Sequence, residues 1–242
     1  MRHAWKTVLD LLFPPLCIAC REPAASQGFC AACWSKIQFL DGPGCARCGI
    51  PFDVPLDDAL CAVCLAHPPS FDTARAILRY DDVSRGPILA LKHADRLDLV
   101  PGFALWLERA GSGLIAASDL IVPVPLHPSR LWRRRYNQAA ELGRALSRRT
   151  GLELDTGVLV RSRATRSQGE MTSARGRRRN VLGAFQVREK ARVAGRNILL
   201  VDDVVTTGAT AEAACRALKR AGAAKVRILA LARVVRATEV PI

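Results

Sequence analysis

Aromatic side chains are scarce in this 242-residue chain: seven Phe, four Trp and two Tyr amount to 5% of it. Few rings argue against a surface whose main business is stacking exposed bases, with Trp34, Trp106, Trp132 and Tyr136 as the few candidates. Histidine is rarer still, at four residues, and His3, His67 and His93 call for no role beyond packed or solvated side chains. Long apolar runs are missing. The segment from Val8 to Phe13, behind Arg2 and Lys6, is too short to span a bilayer and is followed by no Ala-x-Ala-like cleavage site, so a cytoplasmic protein without a membrane span is expected. Gly111-x-Gly113-x-x-Ala116 follows a helix-like segment, not a strand, which removes a dinucleotide fingerprint. Acidic residues are outnumbered, 22 against 36 Lys and Arg, for a net charge of +14.

Cysteine is abundant and ordered. Cys17-x-x-Cys20, Cys30-x-x-Cys33, Cys45-x-x-Cys48 and Cys61-x-x-Cys64 take up eight of the nine cysteines, leaving Cys215 outside. A Cys-x-x-Cys turn presents two thiolates to one ion, and two such turns complete a closed tetrahedral site of four thiolates, which is structural and not catalytic. A reducing cytosol favours thiolates over disulfides. A single redox motif in a βαβ unit does not come in fours, and the bacterial ferredoxin spacing is absent. Two structural zinc ions are therefore expected. Sequential pairing closes the shorter loops, while an interleaved cross-brace is the alternative. A segment with few aliphatic residues cannot fold by burial alone, so metal binding would supply its folding free energy.

Charge divides the chain where the cysteines stop. Residues 1–70 hold five Lys/Arg and six Asp/Glu, so the remaining 172 residues carry 31 against 16. The arginines concentrate at Arg130, Arg133, Arg134 and Arg135 and again from Arg161 to Arg179, a density that suits a polyanion such as pyrophosphate or a nucleic-acid backbone. The expected organisation is a metal-stapled module over residues 1–67 and an α/β domain over 71–242, hinged at His67-Pro68-Pro69-Ser70, because consecutive prolines resist helix and central strand alike. In the larger domain, strands are expected over Ala74–Tyr80, Asp119–Pro125, Val181–Val187, Asn197–Val204 and Val226–Val234. Helices are expected over Gly86–Ala94, Gly102–Ala110, Asn137–Arg149 and Ala211–Gly222. That alternation implies a largely parallel sheet.

The most informative stretch runs from Ile198 to Thr210. Four aliphatic residues, Ile198 to Val201, fit a central strand covered on both faces. Asp202 and Asp203 then emerge at its carboxyl end, the edge where open α/β sheets bind ligands. Thr206, Thr207, Gly208 and Thr210 lead into the next helix, whose unpaired N–H groups and partial positive charge suit a phosphate, with Gly208 permitting close backbone approach. Two carboxylates just upstream would repel that anion and face sugar hydroxyls instead. The residue types thus read as a sugar-phosphate site.

This segment closely resembles the PRPP-binding motif of type I phosphoribosyltransferases. Together with the cysteine pairs, Tyr80, Leu91-Lys92, Val122 to His127, Asn137-Gln138, Ser167-Gln168, Arg177 to Asn180 and Gly183-Ala184-Phe185, it resembles the ComF family over nearly the whole chain. The resemblance implies a type I phosphoribosyltransferase fold carrying an N-terminal double zinc ribbon. It implies that Asp202 and Asp203 hold ribose hydroxyls, directly or through Mg²⁺. Val204, Val205, Thr206, Thr207, Gly208, Ala209 and Thr210 would bind PRPP, with Thr206 to Thr210 around its 5-phosphate. Leu126, His127 and Arg134 would lie on the pyrophosphate side, and a flexible loop with Gln168, Arg177, Arg178 and Arg179 would fold over the substrate. Three roles follow: phosphoribosyl transfer, handling of single-stranded DNA with the competence or DNA-uptake machinery, or PRPP sensing without turnover. One departure stands out: Arg135 occupies a position where the family has glycine, and a positive φ would cost it more.

Overall fold

The computed structural model describes residues 16–24, 28–56, 58–93, 96–163, 181 and 183–235. The elements of the central sheet are β1 (Thr73–Arg79), β2 (Leu120–Pro123), β5 (Asn197–Val205) and β6 (Lys225–Arg233), all parallel, in the order β1-β6-β5-β2. As the aliphatic run requires, β5 lies between two partners, and Ile198, Leu199, Leu200 and Val201 are each fully buried. Parallel neighbours need crossovers, and these are helical. On one face lie α3 (Asp82–His93), α4 (Val100–Ala110) and α7 (Gln138–Thr150), whose Ile88, Leu91, Phe103, Leu107, Leu142 and Leu146 pack on Leu199, Val201, Leu229 and Leu231. On the other lies α8 (Ala209–Arg220), with Ala211, Ala214, Cys215 and Leu218 against Ile198, Leu200 and Ile228. Each fully buried aliphatic side chain contributes about 2 kcal/mol of transfer free energy.

Local chemistry sets the helix ends. Asn137 accepts the Ala139 N–H at 3.1 Å and starts α7, and Gly151 at φ 74° stops it. A short helix, α6 (Pro128–Arg134), follows β2 where a proline-punctuated turn was expected. Pro128 suits a first helical position, and the His127 ring caps the helix by accepting the Ser129 N–H. The α6 helix ends on Arg135 at φ 64°, so the arginine does adopt the left-handed conformation that glycine takes more cheaply. Gly111 joins α4 to the single turn α5 (Ser112–Ala116), confirming that no strand precedes it.

One expected strand needs correction. Among the described residues of 181–187 only Phe185–Val187, β4, is extended, and it pairs antiparallel with β3 (Leu159–Arg161) outside the main sheet. Gly183 at φ 69° interrupts the run before it can lengthen.

The cysteine-rich residues form two similar loops, each followed by a helical turn, α1 (Ala31–Trp34) and α2 (Ala62–Ala66), that begins directly after a cysteine. They sit on opposite faces of the sheet. Ile18 and Ile37 of the first loop join the α4 side, where Phe29 and Trp34 meet Trp106 at 5.9 and 5.7 Å between ring centroids. Cys45, Cys48, Ile50 and Phe52 of the second join the α8 side. The segment between them runs along the outer edge of β1: the Leu40 N–H reaches Ile77 O at 2.7 Å and the Arg79 N–H reaches Gln38 O at 2.9 Å. The opposite edge is covered too, by Glu153 and Asp155 bonded to Ile121.

Gly49 shows how tightly the second loop sits. Its φ is 69°, and a Cβ there would lie 2.5 Å from the Ala74 carbonyl oxygen of β1. Gly49→Ala should therefore lower stability by about 2 kcal/mol or more, from the left-handed backbone and the clash together. Denaturant unfolding of the zinc-loaded protein checks this, and an unchanged midpoint would contradict the packing.

Candidate functional site

Two groups of four thiols are assembled: Cys17, Cys20, Cys30 and Cys33, and Cys45, Cys48, Cys61 and Cys64, each with all Sγ atoms within 4.8 Å of one another. The grouping is sequential and not interleaved. Zinc–sulfur bonds of about 2.3 Å give a tetrahedron with edges of about 3.8 Å. The Cys20–Cys30 and Cys48–Cys61 sulfur separations are both 3.7 Å. Backbone N–H groups already point at the sulfurs, from Cys30 to Cys17 at 3.3 Å and from Cys61 to Cys45 at 3.3 Å. Burial raises the Cys17 thiol, but the N–H groups of Cys30, Cys20 and Ala19 overcome it and hold it down at about 6. Its neighbour Cys33 is pushed up to about 12 by burial and by the other sulfurs. In the second group Cys45 is held at about 7 while burial drives Cys48 up to about 11. Four thiols this close cannot all ionise without a cation between them, and two structural zinc ions meet that need. The first group has an exposed member, Cys20, whereas all four of the second are buried.

The strand–turn–helix from Ile198 to Thr210 forms at the carboxyl end of β5. Gly208, at φ 72° and ψ 0°, is the N-cap of α8, and its carbonyl accepts the first helical bond from the Glu212 N–H at 2.8 Å. Thr206, Thr207 and Gly208 make up the turn, and Thr207 Oγ1 is buried with no partner among the described residues. A Cβ at Gly208 would meet nothing within 4 Å, so the space beside the turn is open.

The two aspartates look to opposite sides of the sheet. Asp203 forms an ion pair with Lys92 of α3, Nζ to Oδ2 3.1 Å, both side chains mostly shielded. Alternation along the strand turns Asp202 to the other face, and the charges of Lys92 and Arg161 both act on it. Burial first, and the Asp203 charge second, raise the Asp202 carboxyl to about 8. Arg161 is itself buried at the end of β3, with its guanidinium 5.3 Å from the centre of the Phe185 ring. Burial and the nearby Arg130 pull its pKa down to about 10, against the pull of Asp202.

Between about pH 4, where the free side chain ionises, and about 8, the unliganded fold thus favours the protonated form of Asp202. Its folded pKa exceeds its unfolded one, so its contribution to stability declines as pH rises through the window from about 4 to 8 and is flat below it. Asp202→Asn should remove that decline, making the variant gain on the parent at pH 8.5 relative to pH 5. Urea unfolding at the two pH values measures it, and a relative loss at pH 8.5 would contradict the burial.

The remaining candidates fall around this edge. Leu126 and His127 lie beyond β2, where the His127 Nδ1 is engaged by Ser129, 2.8 Å from its hydroxyl. Arg134 reaches Gln138 Oε1 at 3.3 Å. Asn137 donates to Val124 O at 3.0 Å, Tyr136 to Leu91 O at 2.5 Å and Gln138 to Lys92 O at 3.4 Å. These bonds clamp the ends of β2 and α3 together. Gln168, Arg177, Arg178 and Arg179 lie outside the described residues. Lys92 and Arg161 carried no firm role in the sequence. Lys92 reads equally well as a surface lysine, and Arg161 is one of many arginines; what singles each out is a carboxylate that only the fold brings near.

Residues 8–66 match the model of the double zinc ribbon domain, and residues 137–241 that of the phosphoribosyl transferase domain. The DNA utilization protein YhgH of Escherichia coli (strain K12) is 36% identical over 231 residues, spanning 92% of this chain and 99% of that protein. Competence protein F of Haemophilus influenzae is 30% identical, spanning 90% and 96%. The chain belongs to the ComF family. Competence protein ComFC of Bacillus subtilis is a more distant relative of this ComF chain, 27% identical over 81% of it. Among solved structures, adenine phosphoribosyltransferase from Leishmania tarentolae covers 69% of the ComF chain at 12% identity, with a TM-score of 0.38. No helix among the described residues is long and apolar enough to cross a membrane.

Proposed function

We propose that this ComF protein binds PRPP at the carboxyl edge of β5, in the cytoplasm. The observation that carries the reading is the junction of an open, glycine-capped helix start with two carboxylates a few residues upstream, one of them paired with Lys92. The 5-phosphate would take the N–H groups from Thr206 to Thr210, where partial positive charge and hydroxyl donors converge. Asp203, now paired with Lys92, would exchange that lysine for ribose hydroxyls, releasing the Nζ toward a phosphate. Asp202 and Asp203 offer the hard oxygen donors that Mg²⁺ accepts, and that ion keeps several waters when it joins a phosphate-bearing substrate. It would neutralise pyrophosphate. Arg130, Arg134 and Arg161 would receive the charge that pyrophosphate develops. On this reading residues 1–67 act as a zinc-stapled module and residues 71–242 as the phosphosugar-binding domain.

Titration calorimetry of the zinc-loaded protein tests the proposal. PRPP with Mg²⁺ should bind saturably at one site per chain, and ribose 5-phosphate more weakly. Absence of PRPP binding would refute it. Pyrophosphate release that requires an acceptor would establish transfer, whereas binding without release would establish a sensor.

A second reading, single-stranded DNA handling, is supported by the net charge and by Trp132, which is 86% exposed on α6 between arginines. An exposed ring beside cations is what a stacked base needs. The DNA utilization and competence names of the relatives agree with it. Oligonucleotide affinity that falls steeply with added salt would mark this activity.

A further inference from the structure

A cavity of about 320 Å³ lies on the α8 side of the sheet, between the second four-cysteine loop and the turn that caps α8. Its volume is at the lower end of those that hold small organic ligands. Apolar groups form much of its wall, among them Phe71, Val63 and the rings of Pro68 and Pro69. Flat rings and prolines of this kind favour a planar guest.

The polar groups are unbalanced. Glu212 is the one carboxylate among the described residues lining the cavity, and it is already spent: it accepts from Ser70 N at 2.9 Å, Ser70 Oγ at 2.6 Å and Arg216 at 2.9 Å. Arg75 and Arg233 rise from the strands beneath. Arg75 NH1 is held by the carbonyls of Ala74, Cys45 and Ala46. Arg233 donates from NH1 to Cys48 O, but its Nε is buried without a partner among the described residues. Thr207 Oγ1, also unpartnered, lines the same space. The zinc-bound thiolates of Cys48, Cys61 and Cys64 in the same wall answer part of the guanidinium charge, but the two buried donors stay unsatisfied and call for an acceptor, since each buried unmade hydrogen bond costs about 1–3 kcal/mol.

We propose that this cavity binds a small planar aromatic carboxylate, its ring against Phe71 and the two prolines and its carboxylate on Arg233 Nε and Thr207 Oγ1. One wall is the metal-bearing loop and the other is the phosphate turn, so the guest touches both units of the chain. The inference stands on the cavity's own walls and donors, and does not need PRPP to bind.

The test uses the full zinc-loaded chain with anthranilate as the probe and anthranilamide as its neutral counterpart. Anthranilate should bind saturably, at one per chain, with a dissociation constant below about 1 mM, and anthranilamide at least tenfold more weakly. Arg233→Met should weaken anthranilate at least tenfold. Ala213→Phe, which replaces a small lining residue by a large one without altering a cysteine or Arg233, should abolish it while zinc content stays unchanged. No saturable anthranilate binding, equal binding of the amide, binding that survives Ala213→Phe, or displacement by an equal concentration of inorganic phosphate would each overturn the proposal. PRPP titrations on the same samples keep a failure here separate from a failure of the phosphosugar site.

Discussion

Replacing Asp202 and Asp203 together by alanine should weaken PRPP by at least a hundredfold, which is about 2.7 kcal/mol, and leave a folded, zinc-loaded protein. At the end of β5 these two carboxylates are the groups able to accept from ribose hydroxyls or hold a magnesium ion, so their loss removes binding and not merely tuning. Folding survives because the two changes oppose each other. Asp202 is a carboxyl whose burial raises it to about 8, so near neutral pH its removal relieves a destabilising group. Asp203 loses its 3.1 Å ion pair with Lys92, whose side chain keeps enough contact with solvent to be hydrated in its place; the loss costs about 1 kcal/mol or more. Calorimetry against PRPP and a thermal melt on the same sample read both effects. Full affinity in the double variant would sink the site assignment, and a collapsed fold would show that Asp203 and Lys92 hold the structure instead. Asp203→Asn, which keeps the shape, then separates the two.

Stripping the metal should have the larger effect on the fold. Apparent binding free energies of structural zinc are about 10–16 kcal/mol in small modules, more than the stability of most domains, about 5–15 kcal/mol. Two ions per chain are expected by metal analysis. Chelation should release them in order, first from the group that contains exposed Cys20 and then from the fully buried second group. The second loss reaches further than the cysteine-rich residues, because Cys45, Cys48, Cys61 and Cys64 belong to the same apolar cluster as Leu200 and Ile228. Hydrogen exchange should show β1 losing protection together with the second loop. Retention of both loops in an ordered, metal-free protein would contradict the zinc reading.

How much of this was readable in advance depended on distance along the chain. The β5 strand, its two aspartates and the helix that follows are contiguous, so hydrophobic run, acid pair and glycine could be read in one window, and the structure forms them as one unit. The Cys-x-x-Cys repeats were equally local, and the sequential grouping follows the shorter loops. What stayed hidden was long-range. Lys92 reaches Asp203 across more than a hundred residues, and no periodicity in α3 distinguishes it from a solvent-facing lysine. The three-residue strands β3 and β4 are too short for alternation to register, and Gly183 cut the longer strand expected there. Arg135 shows the limit of substitution logic: a residue ill suited to a left-handed turn adopts it because Asn137, Tyr136 and Gln138 fix the chain beside it.

The contact of Gln38 and Leu40 with the outer rim of β1 gives zinc a further task. Those bonds occupy amide and carbonyl groups that would otherwise be free to recruit a neighbouring polypeptide. A molecule that failed to load its second ion would expose an unguarded, largely aliphatic ribbon to every other copy in the cell. Metal supply would then decide not only whether the protein works but whether it clumps, and cells starved of zinc should accumulate this chain as insoluble aggregate before any ligand site is tested.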